Sequence, residues 1–201
     1  MDCSARHVKI WRVETVTERR RSPMNDAIAC LMLILTLSSA PAFATMSLTS
    51  TDFVAGDPIP SAHIYPRCGG RNISPQLSWT GAPADTKSFV LTMIDVDVMP
   101  SQWSHWIVID LPPQSNSLAR GTPSLPGKAK AIAGNFGDAH YDGPCPPKGT
   151  GVHHYVFTVW ALPTATISLA SDEAATRVTA TLERLALDRA SLSAFVQAPG
   201  N

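Results

Sequence analysis

The chain has 201 residues, with 16 basic and 16 acidic side chains, so its formal net charge at neutral pH is zero. Apart from Arg19-Arg20-Arg21 near the start, and so over residues 45–201, no basic stripe is present to track nucleic-acid phosphates. No lysine-rich amphipathic stretch suggests docking on a membrane surface either.

The first element in chain order is a targeting segment. Residues Ala27 to Leu37 form an apolar run, and small residues follow it up to Ala42-Phe43-Ala44, an A-x-A cleavage pattern. The run falls short of the ~20 apolar residues that a spanning helix requires. We therefore expect residues 1–44 to be an N-terminal extension and signal peptide, cleaved after Ala44, with the protein periplasmic or secreted. Met1 and Met24 both remain open as the start, and a buried hairpin helix is the alternative reading of the apolar run. Cleavage leaves residues 45–201, about 157 residues and one domain by length. That domain has 10 basic and 12 acidic residues, a net charge of −2, and no span left to cross a membrane. Cys3 and Cys30 fall in the removed segment, leaving Cys68 and Cys145 in an oxidising compartment, where pairing is the expectation. Neither lies in a C-x-x-C spacing, so no thiol metal site is expected.

Within the domain, Ser88–Asp95 is rich in apolar and β-branched residues and reads as a buried strand. His105–Leu111 reads likewise and stops at Pro112-Pro113. Residues 114–140 show no firm period and many Gly, Pro and Ser residues, which predicts a long excursion holding a short strand or two. His153–Leu162 is the third strand, ended by Pro163. A helix is expected from an Asp172 N-cap to about Leu187, on the apolar stripe Ala175, Val178, Leu182 and Leu185. A second short helix is expected over Arg189–Val196. These elements make a mainly antiparallel β domain with one or two late helices.

Ionisable residues gather at the strand ends. Residues i and i+2 of a strand share a face, which pairs Asp95 with Asp97 and His153 with Tyr155. Carboxylates closing an apolar strand need partners, either pocket histidines or turn amides. His105 lies between Trp103 and Trp106 as a pocket residue or a structural one. Tyr155 can offer its hydroxyl to a ligand or fill the core. His154 must face away from His153 and receives no role; His63 and His140 match no motif. Pro146 to Gly151 reads as a rigid loop, with Lys148 solvated.

Five stretches in fixed order carry a resemblance: Asn72–Trp79, Gly81-Ala82-Pro83 with Thr86–Phe89, the Asp95-Val96-Asp97 pair, Trp103–Trp106, and Pro146–Tyr155. Together they resemble the phosphatidylethanolamine-binding protein family, also called Raf-kinase-inhibitor-like, in its bacterial branch, over roughly residues 47–195. The resemblance implies a β-sandwich-like core of two antiparallel sheets with a pocket at one end. It also implies a ligand-binding set of Asp95, Asp97, His105, Cys145, His153 and Tyr155, with Cys145 where many eukaryotic members have glycine. The family's Asp-Pro-Asp-Ala-Pro is replaced here by Asp95-Val96-Asp97-Val98-Met99-Pro100.

The implied ligand is a small anion of phosphate type or a phospholipid head group, and the implied partner is an unidentified protein that the domain inhibits. No metal, cofactor or catalytic residue is expected. Anion binding should strengthen below neutral pH as His105 and His153 acquire charge. The alternative is a hydrolase using the same pocket, either metal-dependent or based on a histidine.

Overall fold

The computed structural model describes residues 45–169 and 174–200. The expected targeting segment and the Asp172 N-cap lie outside them. Two antiparallel sheets form the domain. The smaller comprises β1 (Ser47–Thr49), β2 (Leu77–Thr80) and β5 (Ser117–Leu118), in the order β1-β2-β5. The larger comprises β3 (Ser88–Asp95), β4 (Trp103–Leu111), β6 (Lys130–Ile132), β7 (Val152–Leu162) and β8 (Asp188–Gln197), in the order β6-β4-β3-β7-β8.

β3 lies at the centre of the larger sheet and all eight of its residues are buried. A strand covered on both faces needs apolar residues at every position, which accounts for its unbroken apolar run. Its odd positions Phe89, Leu91 and Met93 point inward with Phe157 and Val159 of β7, against Leu48, Leu77 and Trp79 of the small sheet. Trp79 meets Phe89 edge-on at 5.6 Å. Val90, Ile107, Ile109 and Trp160 point the other way, under Val178 and Leu182 of helix α1 (Ala175–Leu185). The large sheet is thus sandwiched between the small sheet and one helix.

The second expected helix, Arg189–Val196, is instead β8, paired with β7 along its whole length from Val152↔Gln197 to Ala161↔Asp188. Ala190, Leu192 and Ala194 alternate inward while Arg189 and Ser191 are exposed, a period of two that only a strand satisfies. This burial against the core overrides the helical preference of alanine.

Candidate functional site

The cavity lies where the inner face of the large sheet runs out. β3 ends at Asp95, which pairs directly with Tyr155 of β7, so the two side chains share the inner face, and His153 follows two residues before Tyr155. β4 would not by itself bring His105 to this face, because its inward positions are Trp106 and Val108. The register supplies the answer. Met93 pairs with Trp106 and Ile94 with Ser104, so His105 is the extra residue of a β-bulge. Bulges re-aim side chains, and this one lets His105 join its neighbour Trp106 on the inner side.

The cavity, of about 260 Å³, is lined by Asp95, His105, Cys145, His153 and Tyr155, with Val98, Trp103, Phe136, Pro146 and Pro147 completing an apolar wall. Asp95 is 2% exposed. Its Oδ2 accepts from His153 Nδ1 at 2.7 Å and its Oδ1 from the Asp97 backbone N–H at 3.0 Å. His153 Nε2 meets Thr150 Oγ1 at 2.9 Å. A line of three side chains therefore runs from the buried carboxylate to the exposed loop after Pro147.

His105 Nδ1 donates to the Asp142 carbonyl at 2.8 Å. A carbonyl can only accept, so Nδ1 carries the proton and the neutral ring keeps a lone pair on Nε2. The ring is wedged edge-on against Tyr155 and Phe136, each 5.1 Å away. Burial pushes His105 down to about 4, outweighing the Asp142 hydrogen bond and the charge of Asp95. This corrects the expectation that His105 charges just below neutral pH: near neutrality it is an acceptor. Burial, then the charge of Asp95 and a hydrogen bond to it, push the Tyr155 phenol up, so it remains a donor.

Asp97 is the expected site residue that the structure does not bring to the cavity. β3 ends at Asp95, and beyond it the two-residue period no longer applies. Asp97 accepts from the His154 backbone N–H at 2.6 Å and from its ring at 2.9 Å, both on the exposed side. Slight burial would raise its carboxyl, but those hydrogen bonds and the neighbouring imidazoles hold it below the usual carboxylate range.

Cys68 and Cys145 form a disulfide, with Cα atoms 5.5 Å apart. It ties the turn Pro66–Cys68 to the cavity wall. Beneath this clamp the backbones meet closely: Tyr65 N–H donates to Pro144 O at 3.0 Å, Tyr141 Oη to His63 O at 2.9 Å, and Gly143 N–H to Asn72 Oδ1 at 2.6 Å. The Met99–Pro100 peptide bond is cis.

Sequence reasoning missed Phe136, which sits in the excursion and stacks on Tyr65 at 6.2 Å. An aromatic residue between Gly134-Asn135 and Gly137 was the available signal. It also gave Trp103 and Thr150 no role. Among the described residues, Asp138, His140 and Asp142 are the donors placed closely enough to hold a metal ion, their ligand atoms within 4.8 Å of one another. Two of the three are exposed, and the group lies outside the cavity lining.

Comparison with known proteins bears on the family and the fold. The family model described as phosphatidylethanolamine-binding protein matches residues 49–197. The UPF0098 protein YbcL of Escherichia coli K12 is 37% identical over 157 residues, covering 74% of this chain and 85% of that one. A UPF0098 protein of Aquifex aeolicus is 39% identical over 128 residues, covering 63% of this chain and 73% of its own. The crystal structure of E. coli YbcL, described as a new member of the mammalian PEBP family, superposes with a TM-score of 0.68 at 34% identity, covering 76% of this chain and 98% of that one. The antiparallel two-sheet architecture, the family match and these relatives agree, and the chain belongs to the phosphatidylethanolamine-binding protein family.

Proposed function

We propose that this is an exported binding protein whose cavity takes a phospholipid-type head group. The observation that carries the reading is the convergence of the Asp95–His153 pair, His105 and Tyr155 on one apolar-walled cavity of about 260 Å³. That volume lies just under the usual range for small-molecule sites, which suits a head group rather than a whole diacyl lipid. With Nδ1 committed to Asp142, the cavity offers a lone pair at His105 Nε2. The ligand's inner end must then be a hydrogen-bond donor, as the ammonium of a phosphoethanolamine is, with its phosphate toward the mouth. Inorganic phosphate can also donate through a P–O–H, but it brings its negative charge against the Asp95 carboxylate in the same lining, which an ammonium does not. Nothing among the described residues singles out a protein target for an inhibitory role.

Export rests on the Ala42-Phe43-Ala44 pattern and on the Cys68–Cys145 bridge, which persists in oxidising compartments. N-terminal sequencing of protein from its native host should read Thr45 first; an uncleaved Met1 or Met24 start would remove the export reading. Calorimetric titration at pH 7 with ethanolamine phosphate, ethanolamine and inorganic phosphate tests the ligand class. Ethanolamine phosphate should bind most tightly, and inorganic phosphate binding equally well would overturn the assignment.

A further inference from the structure

Asp95, His153 and Thr150 stand in the order carboxylate, imidazole, hydroxyl, with contacts of 2.7 Å and 2.9 Å. That is the arrangement by which hydrolases turn a hydroxyl into a nucleophile: a buried acid fixes the tautomer, leaving the far nitrogen to take the proton. We infer that Thr150, His153 and Asp95 form an acyl-transfer centre for small carboxylic esters, with Thr150 Oγ1 as the nucleophile. This goes beyond head-group binding, although the two share Asp95 and His153 of the cavity lining, Thr150 lying outside it on the exposed loop.

Four further features support it. Asp95 and His153 are 2% and 5% exposed, whereas Thr150 is exposed, so base and orienter are shielded while the nucleophile is open to substrate. The Asp95 carboxylate is fixed by the Asp97 backbone N–H as well as by His153, so the imidazole is held in one orientation. The Gly151 N–H, one residue beyond the nucleophile, has no acceptor among the described residues. It is free to receive a developing oxyanion, the part played by the amide after the nucleophile in other acyl hydrolases. The apolar wall next to His153 suits a short acyl chain.

Thr150 Oγ1 also lies 2.7 Å from the Pro147 carbonyl, so its single proton has two acceptors. The imidazole nitrogen is the stronger base of the two and takes the proton during attack. In the first step Oγ1 bonds to the ester carbonyl carbon while its proton passes to His153 Nε2. The carbon–oxygen bond to the alcohol then breaks, and the alcohol leaves with that proton. Water next attacks the threonyl ester and gives its proton to Nε2. The carboxylic acid departs as Oγ1 recovers the proton, and the centre is restored.

The test uses the mature, disulfide-bonded protein with 4-nitrophenyl butyrate as substrate and a fluorophosphonate probe, the adduct being located by peptide mass spectrometry. The inference expects turnover and one adduct, on Thr150. Thr150→Ala should lose the adduct and at least about 100-fold in rate. Thr150→Ser, which keeps the hydroxyl, should retain both. Thermal melts of the two variants guard against misfolding, and the exposed position makes folding of both the expectation. No adduct on the wild type, an adduct elsewhere, or unchanged hydrolysis by Thr150→Ala would overturn the inference. Titration of the wild type with ethanolamine phosphate, run in parallel, reads head-group binding separately, so each reading can fail alone.

Discussion

His105 shows how one residue acquires its role from its neighbours. The bulge turns it inward, the Asp142 carbonyl fixes its tautomer, and burial keeps it neutral. Its folded-state value of about 4 lies below the 6.5 of a free histidine, so the folded state binds fewer protons than the unfolded chain as the pH falls. The stability it contributes is intact above pH 6.5 and is lost progressively from there toward pH 4, amounting to about 3 kcal/mol. His63, also held below its ordinary value by burial, acts in the same direction. Urea unfolding at pH 7 and pH 4.5 should therefore show a marked loss at the lower pH, and His105→Gln should flatten that slope. An unchanged slope would mean that His105 is not the neutral acceptor described. Asp97 teaches the converse. Its spacing from Asp95 was legible, but the strand ends at Asp95, and with it the rule that put both carboxylates on one face.

At the scale of elements, strands with a strong apolar signal could be read closely. Ser88–Asp95 is β3 as expected, and the expected His153–Leu162 differs from β7 by one residue at its start. The expected His105–Leu111 gained only Trp103 and Ser104. β8 was misread because alanine and serine hide an alternation that larger residues would have displayed, and only pairing with β7 discloses it. The bulge was illegible for another reason: it is a property of register between two strands, not of either sequence alone. The 61–65 and 141–144 segments were equally hidden, since their contact rests on backbone groups, the Tyr65 N–H with Pro144 O and the His63 carbonyl with the Tyr141 hydroxyl. There, a Cβ on Gly143 would stand 2.2 Å from the His63 carbonyl oxygen and 2.7 Å from the Tyr65 nitrogen. Gly143→Ala must push these backbones apart, at a cost of about 1–3 kcal/mol. A denaturation midpoint equal to wild type would show that the segments do not pack as described.

At the largest scale, the described domain is a two-sheet scaffold whose cavity-lining polar residues are collected at one end of its inner face and held there by loops. The disulfide fastens these loops across a sequence separation of 77 residues, for which the chain-entropy model gives roughly 4 kcal/mol. Reduction should lower the denaturation midpoint accordingly, with free-thiol titration of the unreduced mature protein finding none. Midpoints unmoved by reduction would remove the bridge from the account. The central claim is that this end of the scaffold is a binding site defined by which side of β7 a residue occupies. His153 is 5% exposed and lines the cavity, whereas the side chain of its neighbour His154 is 52% exposed and turned to Asp97. Calorimetric titration of ethanolamine phosphate into the wild type, His153→Ala and His154→Ala tests this most directly. The account predicts at least about tenfold weaker binding for His153→Ala, equivalent to 1.4 kcal/mol, and wild-type affinity for His154→Ala. Equal losses from both substitutions, or binding indifferent to both, would contradict it.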